Sequence, residues 1–104
     1  MEYFYSKMII NASFEEIESS VREELKQEGF GVLTEINVQQ TLKKKLDLDF
    51  KRYVILGACI PEAAYKLLQQ EMKAGVFLPC NIILEENDDE SIEVSAINPL
   101  AAFS

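Results

Sequence analysis

Residues 52–59 constrain the fold more than any other stretch. Tyr53, Val54, Ile55 and Leu56 follow one another without a polar break. A strand with one face in water alternates polar and apolar residues, whereas this run is apolar on both faces. It therefore predicts an interior strand, covered on both sides and paired along both edges.

The rest of the chain supplies neighbours for it. Residues 2–10 read as a strand, with Phe4, Ser6, Met8 and Ile10 on one face and Tyr3, Tyr5, Lys7 and Ile9 on the other. Ser13 and Glu16 form a capping box that opens a first helix. Phe14, Ile17, Val21 and Leu25 follow at helical spacing, and Gly29 ends the helix near Glu28, with Phe30 packing back on it. Residues 31–36 are a second strand, read with Val32, Thr34 and Ile36 on a shared face. Asn37 caps a short second helix, with Gln40 as its capping-box partner and Val38, Leu42 and Leu46 as its apolar stripe. After the interior strand, Pro61 suits the first turn of a third helix, and Glu62 complements the positive end of its dipole.

That helix runs to about Met72 and breaks at Ala74-Gly75. Residues 76–78 read as extended, and Pro79 interrupts pairing there. Residues 81–86 and 91–97 alternate as two strands, with Ile82 and Leu84 facing Ile92, Val94 and Ala96. The acidic run between them, residues 85–90, lacks the spacing and glycine of a calcium loop and reads as a hairpin turn. The order is β-α-β-α-β-α-β-β. It predicts an α+β, two-layer sandwich over residues 1–104, a single domain with a mainly antiparallel sheet and helices on one face. The open face is expected to carry Tyr3, Tyr5, Tyr53 and Ile55, and the tail 100–104 is apolar. Both features point to a homodimer.

Composition narrows the function classes. The chain has 104 residues and a formal net charge of −8, which disfavours nucleic acid, whose binding depends on lysine and arginine at phosphates. The basic cluster Lys43-Lys44-Lys45 reads as a solvated helix face. No segment reaches the roughly 18 apolar residues of a membrane span. The first residues lack the basic and apolar regions of a secretory signal, so a cytoplasmic protein with reduced thiols is expected.

The chain contains two cysteines and no histidine. Cys59 ends the interior strand just before a helix N-terminus, where unpaired amides and the dipole would favour a thiolate. The plainer alternative is a small buried residue where strand meets helix. Cys80 lies in Leu78-Pro79-Cys80-Asn81. About seven residues precede it after the third helix, enough for an extended return of about 23 Å. Such a return would bring Cys80 beside Cys59, with Glu62, Asn81, Thr34 and Glu35 as the polar candidates around a shared ligand site.

Two readings stay open. One is a dimeric binding or sensing module with a small-ligand pocket near Cys59 and Cys80. The other is a thiol-dependent enzyme or redox protein using the same residues. A Cys-x-x-Cys motif is absent, one chain cannot supply four nitrogen or sulfur ligands for structural zinc, and a nucleophilic cysteine would lack a histidine base. No cofactor is indicated.

Gly29-Phe30-Gly31-Val32-Leu33-Thr34-Glu35-Ile36, Ile55-Leu56-Gly57-Ala58-Cys59, Pro61-Glu62-Ala63-Ala64, Leu78-Pro79-Cys80-Asn81 and Val94-Ser95-Ala96-Ile97-Asn98-Pro99 occur in this order. Together they resemble the family known as domain of unknown function 302, over residues 13–99. The resemblance implies a compact α+β domain, dimeric, with no activity attached. Where the family pattern tends to have asparagine, this chain has Ile60.

Overall fold

The protein's structure, a computed structural model, describes residues 4–97. Tyr3 and the tail 100–104, both used above as signs of a dimer, lie outside the described residues. The elements run β1 (Phe4–Ile9), α1 (Phe14–Gln27), β2 (Gly31–Asn37), α2 (Val38–Leu46), β3 (Tyr53–Cys59), α3 (Pro61–Gln70), a 3₁₀ turn (Met72–Phe77), β4 (Cys80–Glu86) and β5 (Ile92–Ile97). The five strands form one sheet in the order β1-β5-β4-β3-β2, and every pairing is antiparallel. With its helices this is an α+β sandwich, and β3 is an interior strand.

The helix boundaries follow local chemistry. The Ser13 hydroxyl accepts from the Glu16 amide at 3.1 Å, and the Asn37 side chain accepts from the Gln40 amide at 2.9 Å. Each cap satisfies an amide that the first turn leaves unpaired. At the end of α1, Gly29 takes φ +87°. The Phe30 amide donates to Leu25 C=O at 2.8 Å, and the Gly29 amide donates to Lys26 C=O at 3.1 Å. That Schellman arrangement turns Phe30 back onto the core.

The core lies on one face of the sheet. Cross-strand partners share a face, so Val54–Leu84 and Leu56–Ile82 stack between β3 and β4. Val94 and Ala96 extend the same face on β5. Phe14 and Ile17 of α1 close over it, while Val21 and Leu25 pack at its margin. Leu56 and Leu84 are 0% exposed. At about 25 cal/mol per Å² of apolar surface, this burial is the dominant favourable term.

Three expectations are corrected. Val32 does not share a face with Thr34 and Ile36. Val32 pairs with Ala58 but Thr34 pairs with the adjacent Gly57, because the register shifts between them. Leu33 is the extra residue of a β-bulge, and one inserted residue reverses the alternation. Tyr5 does not share the open face with Tyr53. It pairs with Ala96 on the helix-covered side, while the open face of β1 carries Phe4, Ser6 and Met8. Of residues 76–78, expected to be extended, only Leu78 is. The Glu71 side chain caps Lys73 at 3.0 Å, Ala74 is buried, and the chain coils through 3₁₀ turns to Phe77. It still returns alongside β3.

Candidate functional site

The return of the chain fixes the position of both cysteines. β4 starts at Cys80, directly opposite Ala58 in the register, and Cys59 is the next residue along β3. Both thiols are free and half-buried. Both line a cavity of about 170 Å³ whose other walls are Phe30, Ile60, Ala63, Ala64, Leu67 and Leu78. Alternation puts Cys59 with Ile55 and Gly57 on the open face, and Cys80 with Ile82 and Leu84 on the covered face. The two cysteines therefore enter the cavity wall from opposite faces, at the end of the sheet beside α3.

None of the polar residues singled out in the sequence lines this cavity. Thr34 and Asn81 both pair with Gly57, one from each side, and make a row on the open face. Glu35, turned away from Thr34 by alternation, pairs with Leu56 on the covered face and meets the Arg22 guanidinium of α1 at 3.1 Å. Glu62 is exposed on the first turn of α3 and is not part of the cavity wall. Among the described residues no three histidine, cysteine or acidic side chains are grouped to hold a metal ion.

Gly57 is fixed by its neighbours. A methyl group at this position would fall inside contact distance of Thr34 Oγ1 and lie 2.6 Å from Pro79 Cγ. The Leu78–Pro79 peptide is cis, and the proline ring covers the glycine.

A second concavity, of about 540 Å³, lies on the open face and was not visible in the sequence reading. Phe4, Tyr53, Asn81, Ile83, Glu85, Glu93, Ser95 and Ile97 line it. Ser95 of the lining is directly opposed by Ser6 of β1, and the two hydroxyls are hydrogen-bonded at 2.9 Å. These two small side chains sit between the larger Tyr53 and Ile83 on one side and Phe4 and Ile97 on the other. Its sequence signal was the polar half of the β4–β5 alternation, which the apolar half overshadowed.

Ionisation in this region is shifted in a defined direction. The Lys51 ammonium bonds the Glu85 carboxylate, and this partner holds Lys51 above its ordinary value of 10.5. Burial, then the nearby Glu85 charge, raises Tyr53 above 10.0. For both groups the folded state retains a proton that the unfolded chain gives up at lower pH. Their contribution is complete below the unfolded values and is lost as pH rises through the folded ones. The urea midpoint is therefore expected to fall from pH about 10 upward, and the difference between the wild-type chain and Lys51→Met to shrink over that range. A difference that persists through the alkaline range would contradict this.

No described helix is long and apolar enough to cross a membrane. A search of curated proteins found no match. Among solved structures, the chain is similar to an uncharacterised conserved protein from Bacillus stearothermophilus, known from its crystal structure, at 30% identity and a TM-score of 0.88. The match covers 98% of this chain and 78% of that one. The family model described as "Domain of unknown function DUF302" matches residues 6–104. By sequence model and by fold together, the chain is a member of the DUF302 family.

Proposed function

We propose that the protein is a non-catalytic, dimeric binding or sensing module of the cytoplasm, which takes a small apolar ligand in the cavity beside Cys59 and Cys80. One observation carries this reading: α3 borders the cavity with Ala63, Ala64 and Leu67, yet none of its residues is buried. The helix and its following turn also expose Tyr65 (64%), Met72 (75%), Val76 (81%) and Phe77 (53%). Large apolar side chains exposed this closely together in sequence fit a protein partner. A second copy of this chain is the simplest occupant, and a specific interface would bury at least about 1,000 Å². With the ligand on one side of α3 and the partner beside it, each binding event biases the other.

The cavity opens to solvent, and its volume of about 170 Å³ is close to the roughly 150 Å³ that accommodates benzene in an enclosed site, so it suits a ligand of that size with part of its surface exposed. Apart from the thiols, its walls carry no acid or base to activate a nucleophile. This favours binding over thiol catalysis.

Two measurements test the reading. Toluene is expected to bind saturably and to be excluded by Ala64→Leu, which fills the cavity. Sedimentation at tens of micromolar is expected to give a dimer that Met72→Glu with Val76→Glu converts to monomer. A wild-type monomer removes the dimer, and toluene binding unchanged by Ala64→Leu removes the cavity. Alkylation of Cys59 faster than a model thiol, and dependent on Cys80, would instead support thiol chemistry.

A further inference from the structure

We infer that the open-face concavity is a second ligand site, separate from the cysteine cavity, and that it takes a small organic cation: an ammonium group carried on an apolar or aromatic body. The inference starts from the strand register. Tyr53 pairs with Glu85, Glu85 with Glu93, and Glu93 with Met8, so one row across the face holds two carboxylates side by side. Like charges directly opposite each other on a sheet are destabilising unless something compensates them.

The compensation within the chain is incomplete. Glu85 has the Lys51 ammonium. Glu93 accepts hydrogen bonds from neutral donors, the Ser6 hydroxyl at 2.6 Å and the Asn87 amide at 3.4 Å, and shares the Lys51 charge with Glu85 only at longer range, without an ion pair of its own among the described residues. Two carboxylates and one ammonium leave this row with one excess negative charge. It is held in the wall of a concavity of about 540 Å³, within the roughly 300–1,000 Å³ range of small-molecule sites.

The remaining walls define the rest of the ligand. Ile83 and Ile97 supply apolar surface, and Phe4 and Tyr53 supply aromatic rings, which attract a cation over their faces and pack an apolar body at their edges. An ammonium at Glu93 would complete an alternating set with Glu85 and Lys51, and its carbon skeleton would lie over Ser95, among Phe4, Ile83 and Ile97. An anionic ligand would meet two carboxylates on a chain of net charge −8.

The probe is phenethylammonium, with 2-phenylethanol and 3-phenylpropionate as neutral and anionic analogues, followed by amide chemical shifts of the full chain. Phenethylammonium is expected to shift residues of β1, β3, β4 and β5 saturably. Glu93→Gln keeps the size of the side chain while removing its charge. It is expected to weaken binding at least about tenfold, the loss expected when a charge-assisted hydrogen bond becomes a neutral one. Lys51→Met, which removes the competing ammonium, is expected not to weaken it, and Ala64→Leu in the cysteine cavity is expected to leave it unchanged. Absence of saturable shifts, equal affinity for 2-phenylethanol, or unchanged affinity in Glu93→Gln would overturn the inference. None of these outcomes bears on toluene in the cysteine cavity.

Discussion

Phe14→Ala is expected to destabilise the fold by about 3–5 kcal/mol, the usual cost of removing a buried aromatic ring. Phe14 is 2% exposed and joins α1 to the β3–β4 stack. It also supports a chain of charges. The Arg52 guanidinium lies 4.3 Å from the ring centroid and donates to Glu15 at 2.8 Å. Truncation therefore leaves a cavity and removes the surface on which Arg52 rests. A domain of this kind has about 5–15 kcal/mol in all, so this loss takes a large share of the total. Phe14→Leu separates the two effects, because it keeps most of the apolar volume and loses the ring. Its loss should include the roughly 0.5–1 kcal/mol of an exposed cation–π contact, and that part should vanish in an Arg52→Ala background. Urea unfolding with an unchanged slope is the measurement. A loss below about 1 kcal/mol for Phe14→Ala would mean that the helix does not depend on this anchor.

Gly57→Val is expected to cost about 3 kcal/mol, the upper end of the usual range for overpacking. The added carbon atoms enter space held by the Thr34 side chain and the Pro79 ring. Threonine can rotate, but the proline ring is fixed by its own backbone. Thr34→Ala in the same chain should therefore recover only part of the loss. Gly31→Ala is the control within the same sheet, because its nearest contact would be the Cys59 carbonyl oxygen at 3.9 Å. If Gly57→Val and Gly31→Ala prove equally mild, the close approach of Thr34 and Pro79 to β3 is not a constraint on the fold.

Much of this architecture was legible in the residues, and the reason is local. Ser13 with Glu16, Asn37 with Gln40, and Gly29 after α1 act through bonds spanning a few positions, so their sequence and their geometry coincide. The apolar run of β3 likewise states its own burial. Sequence reading failed where one residue changed the phase of everything beyond it. Nothing in Val32-Leu33-Thr34 marks Leu33 as the inserted residue, because all three suit a strand. Only pairing with Ala58 and Gly57 reveals the shift. The polar set expected around the cysteines was divided by simple alternation instead, which sends Thr34 to the open face and Glu35 to the covered one. That the chain returns to β3 after α3 was legible from connectivity, though it does so through 3₁₀ turns and not through the extended stretch expected. The make-up of the cysteine cavity's walls was not, because Phe30, Leu67 and Leu78 come from three different parts of the chain. The open-face concavity escaped notice because Ser6, Ser95, Glu85 and Glu93 look like ordinary solvent-facing positions until four strands are laid side by side.

The bulge at Leu33 has a consequence for how the protein behaves in a crowded solution. An open sheet ends in two strands whose outer amides and carbonyls can recruit any extended chain, and long flat edges of this sort seed fibrils. Here the outer strands are β1 and β2. β1 is six residues long and carries Lys7 at its middle, a charge that a growing stack of strands would have to desolvate. β2 has no lysine and no proline, and Glu35 is its single charge among Val32, Leu33, Thr34 and Ile36, all able to extend a sheet. Its protection is the inserted residue, which twists the strand and breaks the regular ladder that an incoming strand would need. The irregularity that obscured the pattern in the sequence thus serves as a gatekeeper, keeping an edge rich in β-formers from templating aggregation.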